Sequence, residues 1–168
     1  MALKEAQQLS APDPRQRVKA MIHLMEQARG LSSAQQEEAL RLLGACVPDQ
    51  EAFVRWNLAI AVGRLGHPKG LELLRQLAGD EHANVRWRVA LSCGLIGSPD
   101  GLGILANLAN DPYKIGEHFV VRAYVAQALG MIRDPGGVNI LSTLVADEDP
   151  VVRSVSYTHL TLPTTPYV

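Results

Sequence analysis

Two short motifs contain the side chains best suited to acid–base or metal chemistry. Glu81–His82 and Glu117–His118 each place a carboxylate beside an imidazole. A metal site would need several such groups to converge within about 2 Å of one ion. Packed helices lie about 8–10 Å apart, so the two histidine side chains would have to extend toward each other to bind one ion. The sequence instead favours a glutamate at a helix N-terminus beside a solvated histidine, and it predicts no metal and no other cofactor.

The two cysteines are the strongest candidate nucleophiles. Cys46 and Cys93 fall at apolar positions of helical patterns, which predicts buried, reduced thiols and no disulfide. No nucleophile–base pairing stands out, and the glycines of "GLIGSPDGLG" belong to a turn and not to a phosphate-binding loop. The sequence indicates no catalytic residue. It favours a chain without catalytic activity of its own and leaves an enzyme as the alternative.

The composition is typical of a soluble globular protein. The 168 residues are 47% hydrophobic and 20% charged, and the net charge is −1. Such a chain has no strong field to attract nucleic acid or anionic membranes, so neither is expected as a partner. No apolar run approaches the length of a membrane span, and "MALKEAQQLS" does not resemble a signal peptide. We therefore expect a cytoplasmic location.

A repeated pattern organises most of the chain. Aligning on a valine followed by a basic residue gives spacings of 36, 31, 36 and 31 residues, and the basic residues are Lys19, Arg55, Arg86, Arg122 and Arg153. Apolar residues follow each one at helical spacing, and turns such as "HPKG", "SPDG" and "DPGG" come next. A second apolar stretch, such as "LELLRQLAGD", completes the unit. Each unit therefore predicts two helices joined by a short turn.

This pattern resembles the HEAT-like repeat family, in particular the short bacterial form named after phycobilisome lyases. The matching residues are the Asp–x4–Val–Arg starts at Asp49–Arg55 and Asp80–Arg86, and the stretch Ala128–Arg133. The resemblance covers nearly all of residues 13–154 and implies an all-α fold, a right-handed α-solenoid of antiparallel helix pairs of the HEAT/ARM type. We expect residues 1–154 to hold four units and the start of a fifth.

The resemblance also assigns a role to the repeated charges. In the family, aspartate and arginine form a polar ladder between adjacent repeats. The matching residues here are Asp49, Asp80, Asp147, Arg55, Arg86, Arg122 and Arg153. Asp111 departs because five extra residues within "PYKIGEHF" separate it from its arginine, and the first unit departs with Lys19. A carboxylate near a helix N-terminus satisfies free N–H groups, so we interpret these charges as structural.

Two surfaces are candidates for binding a partner. Polar side chains on the second helices would line a concave groove, and this groove set comprises Arg75, Gln76, Asn107, Asn110, Asn139, Ser142 and Thr143. Apolar side chains on the first helices form the other candidate, the aromatic face, which comprises Trp56, Ile60, Trp87, Leu91, Leu95, Tyr124 and Met131. The alternative for the groove set is a solvated polar surface. The alternative for the aromatic face is that its rings are largely buried, either flat over neighbouring helices or stacked on Arg88 and Arg55.

These surfaces favour a protein-interaction scaffold whose partner is another protein or a peptide. Two copies could also pair through the Trp56/Trp87 face. The leading alternative is a HEAT-repeat enzyme of the bilin lyase or isomerase type, which needs a tetrapyrrole groove and a usable Cys or His. An alkylpurine DNA glycosylase-like solenoid would need a basic groove. A metal-binding solenoid similar to deoxyhypusine hydroxylase would need four His-Glu pairs, whereas this chain has two pairs in the order Glu-His.

The C-terminal stretch matches nothing before it. Residues 155–165 resemble translated DNA of a sequencing adaptor, with ten codons in frame from Val155 to Thr164. We therefore expect residues 155–168 to be a non-native tail. The fifth unit would then contribute one stray turn, and an apolar surface would be poorly covered around Ile132, Ile140, Leu141 and Leu144.

Overall fold

The computed structural model describes residues 5–161. The helices are α1 (Pro14–Gln27), α2 (Ser33–Leu43), α3 (Ala52–Leu65), α4 (Leu71–Leu77), α5 (Ala83–Ile96), α6 (Leu102–Leu108), α7 (Val120–Ile132), α8 (Val138–Leu144) and α9 (Pro150–Thr161). No β-strand occurs within these described residues. Odd-numbered helices are the first helices of the units and even-numbered helices are the second. The predicted all-α solenoid of helix pairs is therefore confirmed.

Three of the first helices end at a residue in the left-handed backbone conformation. Gly66 closes α3 with φ 68°, and Gly97 closes α5 with φ 71°. Arg133 adopts the same conformation after α7, with φ 54°. Glycine suits this conformation because it has no Cβ to clash. A proline follows two residues later each time and begins a short 3₁₀ turn that leads into the second helix.

Small residues bring neighbouring first helices into close contact. A Cβ added at Gly63 of α3 would lie 2.6 Å from the hydroxyl oxygen of Ser92 in α5. A Cβ added at Gly94 of α5 would lie 2.9 Å from the Cα of Ala128 in α7. Ser92 also donates a hydrogen bond of 2.7 Å to the carbonyl of Ala59. These contacts place α3, α5 and α7 side by side and align their outward positions.

The end of the array differs from the sequence prediction. The helix α9 continues through Val155 to Thr161 and packs on α7 and α8 where a stray turn was expected. Val152 and Ser156 are fully buried, and Leu144 is covered. The reason is that apolar or small residues recur here at helical spacing, whatever the origin of the codons. The prediction that residues 155–168 are non-native is a separate matter and stays a prediction; residues 162–168 lie outside the described part of the chain.

Candidate functional site

A ladder of arginine–aspartate pairs joins consecutive units. The pairs are Arg17–Asp49, Arg55–Asp80, Arg86–Asp111 and Arg122–Asp147, with closest N···O distances of 2.6, 2.5, 2.5 and 3.1 Å. The first three pairs are bidentate, because Nε and Nη2 each donate to one carboxylate oxygen. Each of these four arginines lies on a first helix and reaches an aspartate that precedes the next first helix.

Each ladder pair also fixes the loops around it. In the second unit, Nη1 of Arg55 donates to the carbonyls of Asp49 and Gln50 at 2.6 and 3.1 Å. Oδ1 of Asp80 accepts the backbone N–H of His82 at 2.9 Å. Burial raises the pKa of Asp80, but the hydrogen bonds from Arg55 and His82 outweigh it and hold that pKa below its ordinary value. The ladder side chains are thus engaged in structure and leave no free acid or base.

The structure corrects the predicted ladder at three places. The first unit was set apart because Lys19 stands at the repeat position of the arginine, but Arg17 supplies its pair, since Arg17 lies three residues into α1 as Arg55 does in α3. Asp111 belongs to the ladder, because the inserted residues bulge out after it as a small turn closed by the Ile115–His118 bridge. Arg153 donates to the carbonyls of Asp147 and Glu148, and it has no carboxylate partner within the described residues.

The two thiols are poor nucleophiles. Cys46 and Cys93 are both free and buried. Burial raises the pKa of Cys46 to about 11 and the pKa of Cys93 to about 12. Since the thiolate is the nucleophile, neither side chain is activated at neutral pH.

The two Glu-His motifs do not come together as one site. His118 Nδ1 lies 3.1 Å from Oδ1 of the buried Asp149, whereas His82 precedes the first residue of α5 and is exposed. Glu81 makes a 3.3 Å contact with Arg55. In the part of the chain that the structure describes, no group of three or more His, Cys, Asp or Glu side chains could hold a metal ion.

The aromatic face forms a connected row across α3, α5 and α7. The guanidinium carbon of Arg88 lies 5.1 Å from the centroid of the Trp56 ring and 4.2 Å from that of Trp87. The Trp87 ring stacks on Tyr124, with centroids 4.6 Å apart and an interplanar angle of 21°. The rings are half-buried, while Leu95 is 44% exposed. The structure thus combines a partly exposed apolar surface with stacking on Arg88, which was the alternative interpretation of these rings. It shows no such stacking on Arg55.

Arg88 differs from the ladder arginines in having no anionic partner. Its Nε is buried and makes no hydrogen bond, and no carboxylate of the described residues lies within 4 Å of it. Burial lowers the pKa of Arg88, Tyr124 opposes this shift, and the positive charge of Arg64 adds to it. Hydrogen bonds to aspartate instead raise the pKa of Arg55 and of Arg86.

A groove of about 450 Å³ opens beside Trp56 and Trp87, between the N-terminal halves of α3 and α5. Its remaining walls come from Ala52, Phe53, His82 and Asn84. Phe53 is 42% exposed, and Asn84 accepts a 3.2 Å hydrogen bond from the indole N–H of Trp87. Sequence reasoning missed Phe53 because it followed only the residues after the arginine. The signal was a bulky aromatic residue one position before the buried Val54.

Six residues of the groove set lie on second helices, and Asn110 lies just after the end of α6. All seven of its side chains face solvent. Arg75 pairs with the exposed Glu72 at 2.6 Å, and Thr143 donates to the carbonyl of Asn139 within the same helix. Its role as a concave binding groove stays a prediction. Separately, within residues 5–161 the structure has no helix that is both long and apolar enough to cross a membrane.

Paired helices joined by a repeated arginine–aspartate ladder define an α-helical repeat protein of the solenoid class. Residues 40–117 match the family model of HEAT repeats. This match confirms, over these residues, the resemblance to HEAT-like repeats found in the sequence. A search of the curated proteins found no match.

Solved structures share this fold. The complex of CpcE and CpcF of phycocyanin lyase from Nostoc sp. PCC7120 matches with a TM-score of 0.73 at 18% identity, covering 97% of this chain and 66% of that one. An engineered protein matches with a TM-score of 0.66 at 19% identity, covering 95% and 77%. A computationally designed armadillo repeat protein for modular peptide recognition gives 0.61 at 17%, covering 95% and 80%. At these identities the likeness concerns the fold alone.

Proposed function

We propose that this chain is a protein-interaction scaffold that binds a peptide or an extended segment of another protein on its aromatic face. The proposal rests on one observation, a row of stacked side chains that is half-exposed and continuous across three units. The row consists of Trp56, Arg88, Trp87 and Tyr124. Tryptophan, tyrosine and arginine are the residues most enriched among those that dominate binding energy at protein interfaces. Two buried, reduced thiols fit a cytoplasmic location, which we include in the proposal.

Rigidity of the supporting helices favours tight binding. The ladder and the Gly63–Ser92 contact hold α3 and α5 in one arrangement, so the rings need little reordering when a partner binds. The described use of the similar designed armadillo repeat protein, modular peptide recognition, supports the same function class. The similar CpcE–CpcF structure is a complex of two named chains, which also favours a protein partner.

A lyase of bilin chemistry is the second candidate, and the CpcE–CpcF likeness is the observation that favours it. Covalent handling of a bilin by a thiol would need an accessible thiolate. Cys93 is fully buried and its pKa is about 12, so burial argues against this use. Mixing the chain with a bilin and recording its absorbance spectrum separates the candidates, because a lyase should shift the spectrum and a scaffold should not.

Selection from a displayed library of random 12-residue peptides tests the scaffold. We expect the whole chain to enrich peptides whose binding is lost in Trp56→Ala and retained in Asn107→Ala, which changes an exposed residue of the groove set. Circular dichroism would confirm that both variants remain helical. Loss of binding only in Asn107→Ala would move the site to the second helices. No enrichment over an empty surface would refute the proposed function.

A further inference from the structure

We infer that the segment bound on the aromatic face is acidic, with a carboxylate paired to Arg88 and a neighbouring apolar side chain in the groove between Phe53, Trp56 and Trp87. This inference rests on the proposed function and adds the chemistry of the partner.

The charge on Arg88 is the first reason. Each arginine paired in the ladder has an aspartate within 3.1 Å, whereas Arg88 lies against the Trp56 and Trp87 rings and its buried Nε has no acceptor. A partly buried cation without a hydrogen-bonded partner is costly, and an incoming carboxylate would remove that cost. Arg64 also lowers the pKa of Arg88, although the contribution of Tyr124 opposes it. The guanidinium without a hydrogen-bonded partner therefore favours an anionic group.

The groove supplies the second contact. Its volume of about 450 Å³ is large enough for a bulky apolar side chain, and Phe53, Trp56 and Trp87 form part of its walls. Trp56 belongs both to this groove and to the ring contact with Arg88. A carboxylate at Arg88 and an apolar side chain in the groove would therefore lie within a few residues of each other on one extended segment.

The same charges argue against a second copy of this chain as the occupant. In a two-fold symmetric contact through this face, a carboxylate for Arg88 would have to come from the same face of the other copy. The residues of the aromatic face include no carboxylate that could pair with it. Nucleic acid is also disfavoured, because tracking a phosphate backbone needs a band of cations and not two arginines.

The peptide selection described above also supplies the probe for this inference. We expect the recovered 12-residue peptides to be enriched in Asp or Glu close to an aromatic residue or leucine. In fluorescence anisotropy with the full chain, converting those acids to their amides should weaken the tightest peptide at least tenfold. Arg88→Gln should weaken the acidic peptide by a similar factor and leave the amide peptide almost unchanged. Arg75→Gln, an exposed arginine on a second helix, is the matched control and should change neither.

The outcomes separate this inference from the proposed function. If peptides depend on Trp56 but show no acidic bias, or if the amide peptide binds as tightly as the acidic one, the scaffold stands and the acidic partner is wrong. If no peptide is enriched, both fail. If Arg88→Gln unfolds, the comparison of acidic and amide peptides on the unchanged chain still decides. A doubled mass in light scattering that Trp56→Ala abolishes would replace the acidic segment by a second copy.

Discussion

Replacing Asp80 with alanine removes the least exposed arginine–aspartate pair of the ladder. The Arg55 and Asp80 side chains are only 9% and 5% exposed, and two hydrogen bonds of 2.5 and 3.0 Å connect them. The change also removes the acceptor of the His82 N–H. Deleting one partner of a buried pair leaves the other charge uncompensated and costs about 3–5 kcal/mol. Arg55 keeps two backbone carbonyls and Glu81, so we expect the lower end, about 3 kcal/mol.

Urea denaturation followed by circular dichroism measures this loss. A cost of about 3 kcal/mol is large against a typical stability of about 5–15 kcal/mol, so the midpoint should fall while the slope stays the same. Glu72→Ala is the matched control, because it removes an ion pair whose glutamate side chain is 66% exposed and should cost about 0–1 kcal/mol. Equal midpoints for Asp80→Ala and Glu72→Ala would show that the ladder does not hold the units together.

Three further predictions follow from packing and ionisation. The folded pKa of Asp80 lies below its ordinary value of 3.8, so its contribution to stability is present above pH 3.8 and lost as the pH falls through the folded pKa. The urea midpoint should therefore decrease when the pH is lowered below about 4, and it should decrease less in Asp80→Asn. Gly94→Ala should cost about 1–3 kcal/mol in thermal melts, because its Cβ would meet Ala128, while Gly103→Ala, with open space around it, should cost nothing. Cys93 should resist iodoacetamide in the folded chain and react in urea; fast alkylation without urea would contradict its burial.

Most of the fold could be predicted from the repeat period, because each helix pair must bury its apolar stripe against the next pair. The ladder was harder to place. Aligning on a valine put Lys19 in the first position, whereas distance from the start of α1 selects Arg17. Counting residues placed Asp111 outside the ladder, although an insertion that bulges after it leaves its position unchanged. Linear spacing predicts a contact only when the intervening residues stay in register.

The aromatic face shows a different limit of sequence reasoning. Spacing placed Trp56 and Trp87 at equivalent positions, and the structure brings them to one surface. Spacing alone could not show that Arg88 lies against both rings or that Trp87 stacks on Tyr124, since these contacts depend on side-chain rotamers and on the distance between helices. The unpaired state of Arg88 likewise depends on three-dimensional contacts, because the ladder aspartates are already bound to other arginines.

Ladder and aromatic face are coupled through the first helices that they share. In α5 the ladder residue Arg86 and the face residue Trp87 are adjacent, so any shift of the Arg86–Asp111 pair moves the ring as well. The close approach of α5 and α7 at Gly94 sets the helix spacing at which Trp87 can stack on Tyr124 at 4.6 Å. A bulkier side chain at Gly94 would therefore widen that spacing and separate the two rings. Repeat packing thus determines the geometry of the proposed binding surface, because the rings that would contact the partner also pack against the core and on one another.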